Sequence, residues 1–204
     1  METTDKAYLY GASGHAKVVL DIARKACMDV PCLIDDNPNV NELAGVPVVH
    51  TAEGLSPIIV TIGDCHLRRK VVSKLGKREY MTVIHPAAII ADSANVGFGT
   101  VIMAGAILNP FVRVGNHSII NTGASLDHDV QIGDFVHVAP HCTLCGEVEI
   151  GEGSWIGAGS TIIQGIHIGK NCFIGAGSVV VKDVPDNTLC YGNPAKVVKK
   201  INQD

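Results

Sequence analysis

The sequence predicts an N-terminal α/β domain over residues 1–82, followed by a parallel β-helix of hexapeptide repeats over residues 83–204. Three observations support this prediction. Residues 7 to about 80 alternate apolar runs of strand type with segments of helical periodicity. From Ile84 onwards an aliphatic residue recurs at every sixth position. Glycine often follows that aliphatic residue, as in IGDFVH and IGEGSW.

The first domain is predicted from the order of its elements. Strands are expected in AYLYGA, CLIDD, VPVV and PIIVTIG, and helices over Gly14–Met28 and Asp64–Arg78. Alternation of strands with helices implies a parallel sheet that carries helices on its faces. The apolar face of the second predicted helix consists of Leu67, Val71, Val72 and Leu75.

The hexad repeat predicts the second domain. Its seventeen aliphatic positions are all Ile, Leu or Val, and an apolar or small residue lies four positions after each. A period of six fits neither a helix nor a simple strand, but it is typical of a parallel β-helix. Each hexad then forms one side of a triangular coil, three hexads form an 18-residue turn, and about five and a half turns are expected. The aliphatic positions are Ile84, Ile90, Val96, Ile102, Leu108, Val114, Ile120, Leu126, Ile132, Val138, Leu144, Ile150, Ile156, Ile162, Ile168, Ile174 and Val180.

Composition excludes some classes of partner. The chain has 204 residues, a formal net charge of -4 and an isoelectric point near 6.1. Its only basic cluster is Lys196, Lys199 and Lys200, which argues against a nucleic-acid partner. Neither a membrane span nor a signal peptide is expected, because the apolar runs are short and the start, METTDKAY, is polar. Seven cysteines without a small disulfide framework predict a cytoplasmic location.

The segment YGASGH joins the first predicted strand to the first predicted helix. Gly11 and Gly14 permit a phosphate to approach the backbone where the N–H groups of the helix start are unpaired. Asp35 and Asp36 end the second strand, where an acidic residue contacts ribose in dinucleotide folds. The loop lacks the third glycine of G-x-G-x-x-G, and no second mononucleotide half follows. A single nucleotide is therefore a better fit than NAD.

The segment SLDHDVQIG contains the candidate base. His128 lies two positions after the inward residue Leu126, and therefore near a coil edge, with Asp127 and Asp129 on either side. Histidine can act as a general base near neutral pH, and a carboxylate on its second ring nitrogen fixes the tautomer. The alternative is an exposed histidine on a charged edge.

One 18-residue turn beyond His128 lies Gly146. Its backbone is expected to stack over the candidate base, with its N–H available as a hydrogen-bond donor. The alternative is that glycine simply suits a tight coil corner.

The repeats, together with YGASGH, IDDNP and LDHDVQIGDFVHVAPHCTLCG, resemble the bacterial nucleotide-sugar acetyltransferases of the PglD/NeuD type. These belong to the hexapeptide-repeat acyltransferases. The resemblance covers nearly the whole chain. It implies a Rossmann-like first domain, a left-handed β-helix, acetyl-CoA as co-substrate and a homotrimer.

The resemblance also implies residue roles. His128 would be the general base, oriented by Asp129, with Gly146 as oxyanion donor. Nucleotide-sugar binding is expected at Gly11, Gly14, His15, Asp35, Asp36, Gly63, Asp64, Asn121 and His137. Contacts with the coenzyme are expected at His137, Gly146, Gly157, Gly175, Pro194 and Lys196, the last two in the tail YGNPAKVVKKI. A coil-capping helix is the alternative for that tail.

No metal is expected. His117, His137 and His141 would be available for a zinc site like that of gamma-class carbonic anhydrases, but their spacing does not reproduce one. Cys142 and Cys145 form a C-x-x-C without a second pair, and Cys142 occupies a small inward slot of the repeat, which favours packing.

The expected reaction is N-acetylation of the 4-amino group of a UDP-linked 4-amino-4,6-dideoxy sugar by direct transfer from acetyl-CoA. One alternative is O-acetylation of sialic acid or another sugar hydroxyl. A non-catalytic β-helix scaffold is a further alternative.

Overall fold

The computed structural model describes residues 5–201, and its first domain is a five-stranded sheet with two helices. The strand order is β3-β4-β2-β1-β5, parallel except for the β3–β4 hairpin, which the sequence analysis missed. The predicted parallel sheet is confirmed. Its elements are β1 (Tyr8–Tyr10), α1 (Gly14–Lys25), β2 (Leu33–Ile34), β3 (Glu42–Leu43), β4 (Val46–Val49), β5 (Ile58–Val60) and α2 (Cys65–Leu75).

Helix α2 differs from its predicted packing at the start. Asp64 caps it, because a carboxylate oxygen accepts the Leu67 N–H at 2.8 Å. Val71, Val72 and Leu75 pack against the sheet as the periodicity suggests, but the Leu67 side chain is 53% exposed. The buried residue in that turn is Arg68, at 1% exposure. Backbone carbonyls of the second domain lie beneath this turn, and they require a donor there rather than an aliphatic side chain.

The second domain is a triangular parallel β-helix with an 18-residue step. Strands of successive coils pair in register, as Leu126 with Leu144. The first face contains β6 (Val83–Ile84), β9 (Val101–Ile102), β12 (Ile119–Ile120), β15 (His137–Val138), β18 (Trp155–Ile156) and β21 (Phe173–Ile174). The second contains β7 (Ile89–Ile90), β10 (Ile107–Leu108), β13 (Ser125–Leu126), β16 (Thr143–Leu144), β19 (Thr161–Ile162) and β22 (Val179–Val180). The third contains β8 (Asn95–Val96), β11 (Arg113–Val114), β14 (Gln131–Ile132), β17 (Glu149–Ile150) and β20 (His167–Ile168).

The hexad aliphatics form the core of the β-helix. From Ile102 to Val180 they are at most 4% exposed, and each contributes roughly 1.5–3 kcal/mol of burial free energy. Ile84 is 39% exposed, because no coil precedes it. From Thr100 onwards the residues four positions on are also buried, and hydroxyl and thiol groups among them find partners in the next coil. Cys142, for example, donates its S–H to the Gly157 carbonyl at 3.1 Å.

The glycines that follow the aliphatic residue allow the coils to stack closely at one corner. A Cβ at Gly151 would lie 2.5 Å from the backbone carbon of Gly169, one coil away. The repeat therefore needs glycine at this corner for packing.

The C-terminal tail forms a β-hairpin. Strand β23 (Thr188–Gly192) pairs in parallel with β21, and β24 (Ala195–Lys200) pairs antiparallel with β23. The alternative of a capping helix is therefore wrong, because a turn at Asn193–Pro194 reverses the chain and β24 continues the first face.

The first domain packs on the first face of the β-helix. Val83, Val101 and Ile119 of that face share one apolar cluster with Val19 and Leu20 of α1. The corner between the second and third faces consequently lies on the side of the β-helix away from the first domain. Within residues 5–201, no helix has the length and apolar character needed to cross a membrane.

Candidate active site

His128 lies at the corner between the second and third faces, directly after β13. Its ring is exposed, and Nδ1 is 3.0 Å from Oδ2 of Asp129. In the neutral ring this contact places the proton on Nδ1 and leaves Nε2 free to accept one. The pKa of His128 is raised, mainly by this hydrogen bond; burial opposes the shift, and the nearby charges of Asp127, Asp129 and Glu147 add to it.

Asp127 holds the backbone of the same corner. Its Oδ1 accepts the His128 N–H at 2.8 Å and the Asn109 side-chain N–H at 3.1 Å. These two bonds, the backbone one first, lower the pKa of the Asp127 carboxyl. Asn109 was missed in the sequence analysis, although it lies one 18-residue step before Asp127 and the repeat would have revealed it.

Gly146 lies directly beneath the ring of His128. A Cβ at this glycine would be 2.5 Å from Cε1 and 2.6 Å from Nε2 of His128. At the equivalent position one coil earlier, the carboxylate of the preceding residue, Asp127, accepts the His128 N–H. The residue before Gly146 is Cys145, which has no carboxylate to accept the Gly146 N–H in the same way. Among residues 5–201, no acceptor is found for the Gly146 N–H.

A second group of polar side chains lies between the two domains. His137 is 4% exposed, its Nδ1 is 3.0 Å from the Gly63 carbonyl, and its Nε2 is 3.0 Å from Nδ2 of Asn121. Because a carbonyl only accepts, Nδ1 carries the proton and Nε2 accepts from the amide. Burial lowers the pKa of His137 to about 3; the Gly63 bond opposes this shift, and the charge of Arg68 adds to it.

His15 completes this group. Its ring centroid is 6.3 Å from that of His137, and its buried Nε2 has no hydrogen-bond partner among the described residues. Burial, and then the charge of Arg68, lower its pKa to about 4. We call His15, Gly63, Asn121 and His137 the interdomain group.

The glycine loop and the acidic pair lie at the carboxyl edge of the first domain. Gly11 has a φ of 112°, and a Cβ there would be 3.0 Å from Oγ1 of Thr61, so the fold itself requires glycine. Gly14 begins α1, and a Cβ there would meet nothing within 4 Å. The fold therefore does not explain this second glycine.

The predicted acidic residues have partners inside the protein. Asp35 accepts the Ala12 N–H at 2.7 Å and so ties the glycine loop to β2. Asp36 accepts from the Tyr10 hydroxyl at 2.7 Å and from Nζ of Lys74 at 2.8 Å. These bonds, that of Lys74 first, lower the pKa of the Asp36 carboxyl.

The residues predicted to contact a coenzyme are spread over later coils. A Cβ at Gly157 would lie 2.5 Å from the Ala176 nitrogen, and one at Gly175 would lie 2.7 Å from Cβ of Tyr191. Packing alone therefore requires both glycines. Pro194 and Lys196 are exposed in the C-terminal hairpin.

An unpredicted cavity of about 410 Å³ lies between the start of α2 and the first face. Asp64, Arg69, Trp155 and Phe173 are among its lining residues. No repeat or motif marks it, because it forms only where the two domains meet.

The histidines considered for a metal do not form a site. His117 is buried against Tyr80, Phe98 and Phe135, with ring centroids 4.6, 5.3 and 5.2 Å away. His141 is exposed at another corner. Across residues 5–201, no three His, Cys, Asp or Glu side chains are grouped to hold a metal ion.

The structure thus brings the candidate residues together in two places. His128, Asp129 and Gly146 form one cluster, which we call the corner cluster, and the interdomain group is the other. The interdomain group borders the first face, whereas the corner cluster lies at the opposite vertex of the triangular coil.

Known proteins match the chain over both domains. A family profile for the PglD N-terminal domain matches residues 6–75, and one for the bacterial transferase hexapeptide (six repeats) matches residues 147–182. A mutant of perosamine N-acetyltransferase from Caulobacter crescentus, in complex with CoA and GDP-perosamine, is 37% identical with a TM-score of 0.91. The alignment covers 96% of this chain and 97% of that one.

Two further matches differ in extent. The acetyltransferase domain of PglB from Neisseria gonorrhoeae FA1090, in complex with acetyl coenzyme A, is 35% identical with a TM-score of 0.89. That alignment covers 96% of this chain and all of the domain. Uncharacterized protein L142 of Acanthamoeba polyphaga mimivirus is 33% identical over 97 residues, which are 45% of this chain but only 20% of that protein.

Proposed function

Since this chain belongs to the nucleotide-sugar acetyltransferases of the PglD/NeuD type, with their left-handed β-helix, we propose that it transfers the acetyl group of acetyl-CoA to an amino sugar. The acceptor is the 4-amino group of a nucleotide-linked 4-amino-4,6-dideoxy sugar. The observation that carries this proposal is the His128–Asp129 pair lying over Gly146, whose N–H has no acceptor among the described residues.

The corner cluster suits direct transfer. The neutral amine attacks the thioester carbonyl, and Nε2 of His128 takes the proton that the nitrogen loses. The Gly146 N–H stabilises the oxyanion, which collapses as the C–S bond breaks and CoA leaves as the thiolate. Asp129 holds the ring in the tautomer that can accept a proton, and it stabilises the imidazolium that forms.

The first domain holds the nucleotide in this proposal. Gly14 leaves open space at the start of α1, where unpaired N–H groups favour a phosphate. The resemblance favours UDP, whereas the Caulobacter relative holds GDP-perosamine. Asp35 supports the loop through the Ala12 N–H and keeps lone pairs for a ribose hydroxyl.

A panel of acceptors tests the proposed reaction. Thiol release from acetyl-CoA is measured with a UDP-linked 4-amino-4,6-dideoxy sugar, GDP-perosamine, CMP-sialic acid and free sialic acid. We expect thiol release only with an amino sugar that is linked to a nucleotide. The nucleotide sugar that reacts then shows which nucleotide the first domain binds. Release with sialic acid alone would favour O-acetylation instead. Calorimetry that detects no acetyl-CoA binding would favour the scaffold alternative.

The separation of the interdomain group from the corner cluster supports a homotrimer in which each active site lies between two copies of the chain. A sugar held by the first domain meets the first face of its own β-helix, and its own His128 lies at the opposite vertex. We therefore propose that the acceptor amine reaches His128 of a neighbouring copy. In a closed ring of identical copies, every interface joins the same two surface patches, one from each neighbour. The interdomain group of one copy could meet the corner cluster of the next in this way.

Mixed oligomers test this arrangement. His128→Ala removes the base, and Gly14→Asp places a carboxylate where the phosphates are expected, in open space that accommodates it. Each variant alone should be inactive. After equal mixing and reassembly, about a quarter of the sites would combine an intact His128 with an intact loop of another copy. Absence of recovered activity, with mixed trimers verified by mass, would place the whole site in one chain.

A further inference from the structure

Arg68 is a fully buried arginine that bridges the two domains. It lies in the first turn of α2 and is 1% exposed. Nη1 donates to the carbonyls of Ile62 and Gly63, both at 2.8 Å. The remaining nitrogens reach two successive coils of the β-helix: Nε donates to the His117 carbonyl at 2.7 Å, and Nη2 to the carbonyls of Phe135 and Val136 at 2.9 and 3.2 Å.

Across residues 5–201, no carboxylate forms an ion pair with this guanidinium. Among the described residues its hydrogen-bond acceptors are backbone carbonyls and the sulfur of Cys65. Burying an unpaired charge is costly even when all its N–H groups are satisfied, and burial lowers the pKa of Arg68. The carbonyls beneath this turn require a donor, but a neutral donor would satisfy them without the cost of burying a charge. The cation therefore calls for a role that depends on its charge or on its geometry.

The interdomain group supplies such a role. The Gly63 carbonyl that accepts from Nη1 of Arg68 also accepts from Nδ1 of His137 at 3.0 Å. The position of that carbonyl determines which nitrogen of His137 carries the proton, and so which one faces Asn121. The positive charge of Arg68 also disfavours protonation of both His15 and His137.

We propose that Arg68 is a positioning residue for the interdomain group: it fixes the Gly63 carbonyl that sets the tautomer of His137. Its positive charge adds to burial, which is the main cause of the neutral state of His15 and His137. This inference rests on the proposed function, in which the sugar passes these rings. A neutral ring does not repel an acceptor that arrives as an ammonium ion, and the unpartnered Nε2 of His15 remains available to the sugar.

Few other charges face these two rings. For His137 they are Arg68, the exposed Asp64 that caps α2, and His15 itself; Asp64 acts in the opposite direction. For His15 the charge that acts is Arg68. Removal of Arg68 should consequently be visible in the titration of both rings.

Substitution at Arg68 separates the two parts of the proposal. Arg68→Met removes charge and donors, whereas Arg68→Lys keeps the charge but cannot reach five carbonyls. Arg78→Met is the matched control, because Arg78 also donates to backbone carbonyls, at Leu75, Ala52 and Leu55, but within the first domain only. Folding is checked by circular dichroism.

The readout is long-range ¹H–¹⁵N NMR of histidine-labelled full-length protein over a pH series. The wild type should show His137 as the Nδ1–H tautomer. In Arg68→Met, a mixture of tautomers should appear, and protonation of His15 and His137 in the folded protein should begin about one pH unit higher than in the wild type. In Arg68→Lys the tautomers should mix with a smaller change in the pH at which protonation begins, and Arg78→Met should change neither quantity. KM for the amino sugar should rise in both Arg68 variants.

Several outcomes would overturn the inference. These are a folded Arg68→Met protein in which the tautomer of His137 and the pH at which protonation begins are unchanged, or a wild-type His137 in the Nε2–H form. Failure of both Arg68 variants to fold, while Arg78→Met folds, would assign Arg68 a structural role only. If the NMR changes occur but no acceptor is acetylated, the proposed function fails and the action of Arg68 on His137 stands.

Discussion

His128→Asn is expected to lower kcat for acetyl transfer by about three orders of magnitude, with little change in thermal stability. The base would be lost, and asparagine cannot take the proton that the attacking amine must release. The side chain of His128 is 56% exposed and lies over Gly146, so its replacement leaves the β-helix core intact. Steady-state thiol release and a melting curve on the same sample measure both quantities. Retention of more than about a tenth of wild-type kcat would remove His128 as the base.

Two comparison variants sharpen this result. Asp129→Asn keeps the imidazole but weakens the bond that raises the pKa of His128, so the acid limb of the pH profile of kcat should move to lower pH, with a smaller loss of kcat.

Gly146→Ala keeps both His128 and Asp129 but would place a Cβ 2.5 Å from the His128 ring, so the ring must move. A displacement of about 1 Å can cost about 100-fold in rate. If either Asp129→Asn or Gly146→Ala lowered kcat as much as His128→Asn does, catalysis would depend on more of the corner cluster than the His128 base.

The corner cluster could be predicted from sequence because the β-helix converts sequence distance into spatial position. Parallel coils stack with a constant step of 18 residues, so His128 and Gly146 become neighbours by arithmetic. The same arithmetic places Asn109 beside Asp127. The contact between His128 and Asp129 is between adjacent residues and needed no fold prediction at all.

The interdomain group could be predicted only in part. The resemblance indicated His15, Gly63, Asn121 and His137, but not that they meet at a surface separate from His128. No periodicity encodes how one domain docks on another. Arg68 shows the same limit: in a helical pattern an arginine counts as an exposed residue, and only the carbonyls beneath it explain its burial.

The interface between the domains buries histidines beside a cation. His15, His117 and His137 all lie within the electrostatic influence of Arg68, and burial is the main cause of their low pKa values. Their apolar or hydrogen-bonded surroundings accept the neutral ring but not the imidazolium. Because protonation of these rings is unfavourable in the docked state, the stability of the domain interface depends on pH.

The protein is therefore expected to lose stability steeply as the pH falls from 6.5 towards 4. The native pKa values of His15 and His117 are about 4 and that of His137 is about 3, whereas an unfolded chain protonates histidine near 6.5. Over this window the unfolded state binds more protons, so acid favours unfolding, and the stability is fully present only above pH 6.5. Each histidine contributes a slope of about 1.4 kcal/mol per pH unit.

Urea unfolding at pH 7.5, 5.5 and 4.5 and at one protein concentration measures this slope, with the fluorescence of Trp155 as the probe. It is the only tryptophan of the chain, and its ring centroid is 4.1 Å from that of His137, so it reports on the interface. His117→Phe should reduce the slope by about a third, because the new ring fits among Tyr80, Phe98 and Phe135 and binds no proton.

His141→Phe is the matched control. The His141 ring lies over Gly123 in the preceding coil, as the His117 ring lies over Gly99, but His141 is exposed to solvent. The variant should leave the slope as it is in the wild type, since the side chain lies outside the interface between the domains. A wild-type free energy of unfolding that stays constant between pH 7.5 and 4.5 would mean that the native state admits protons at this interface. The three rings could then not be held neutral by burial and by Arg68, and the charge-based part of the role proposed for Arg68 would fail with them.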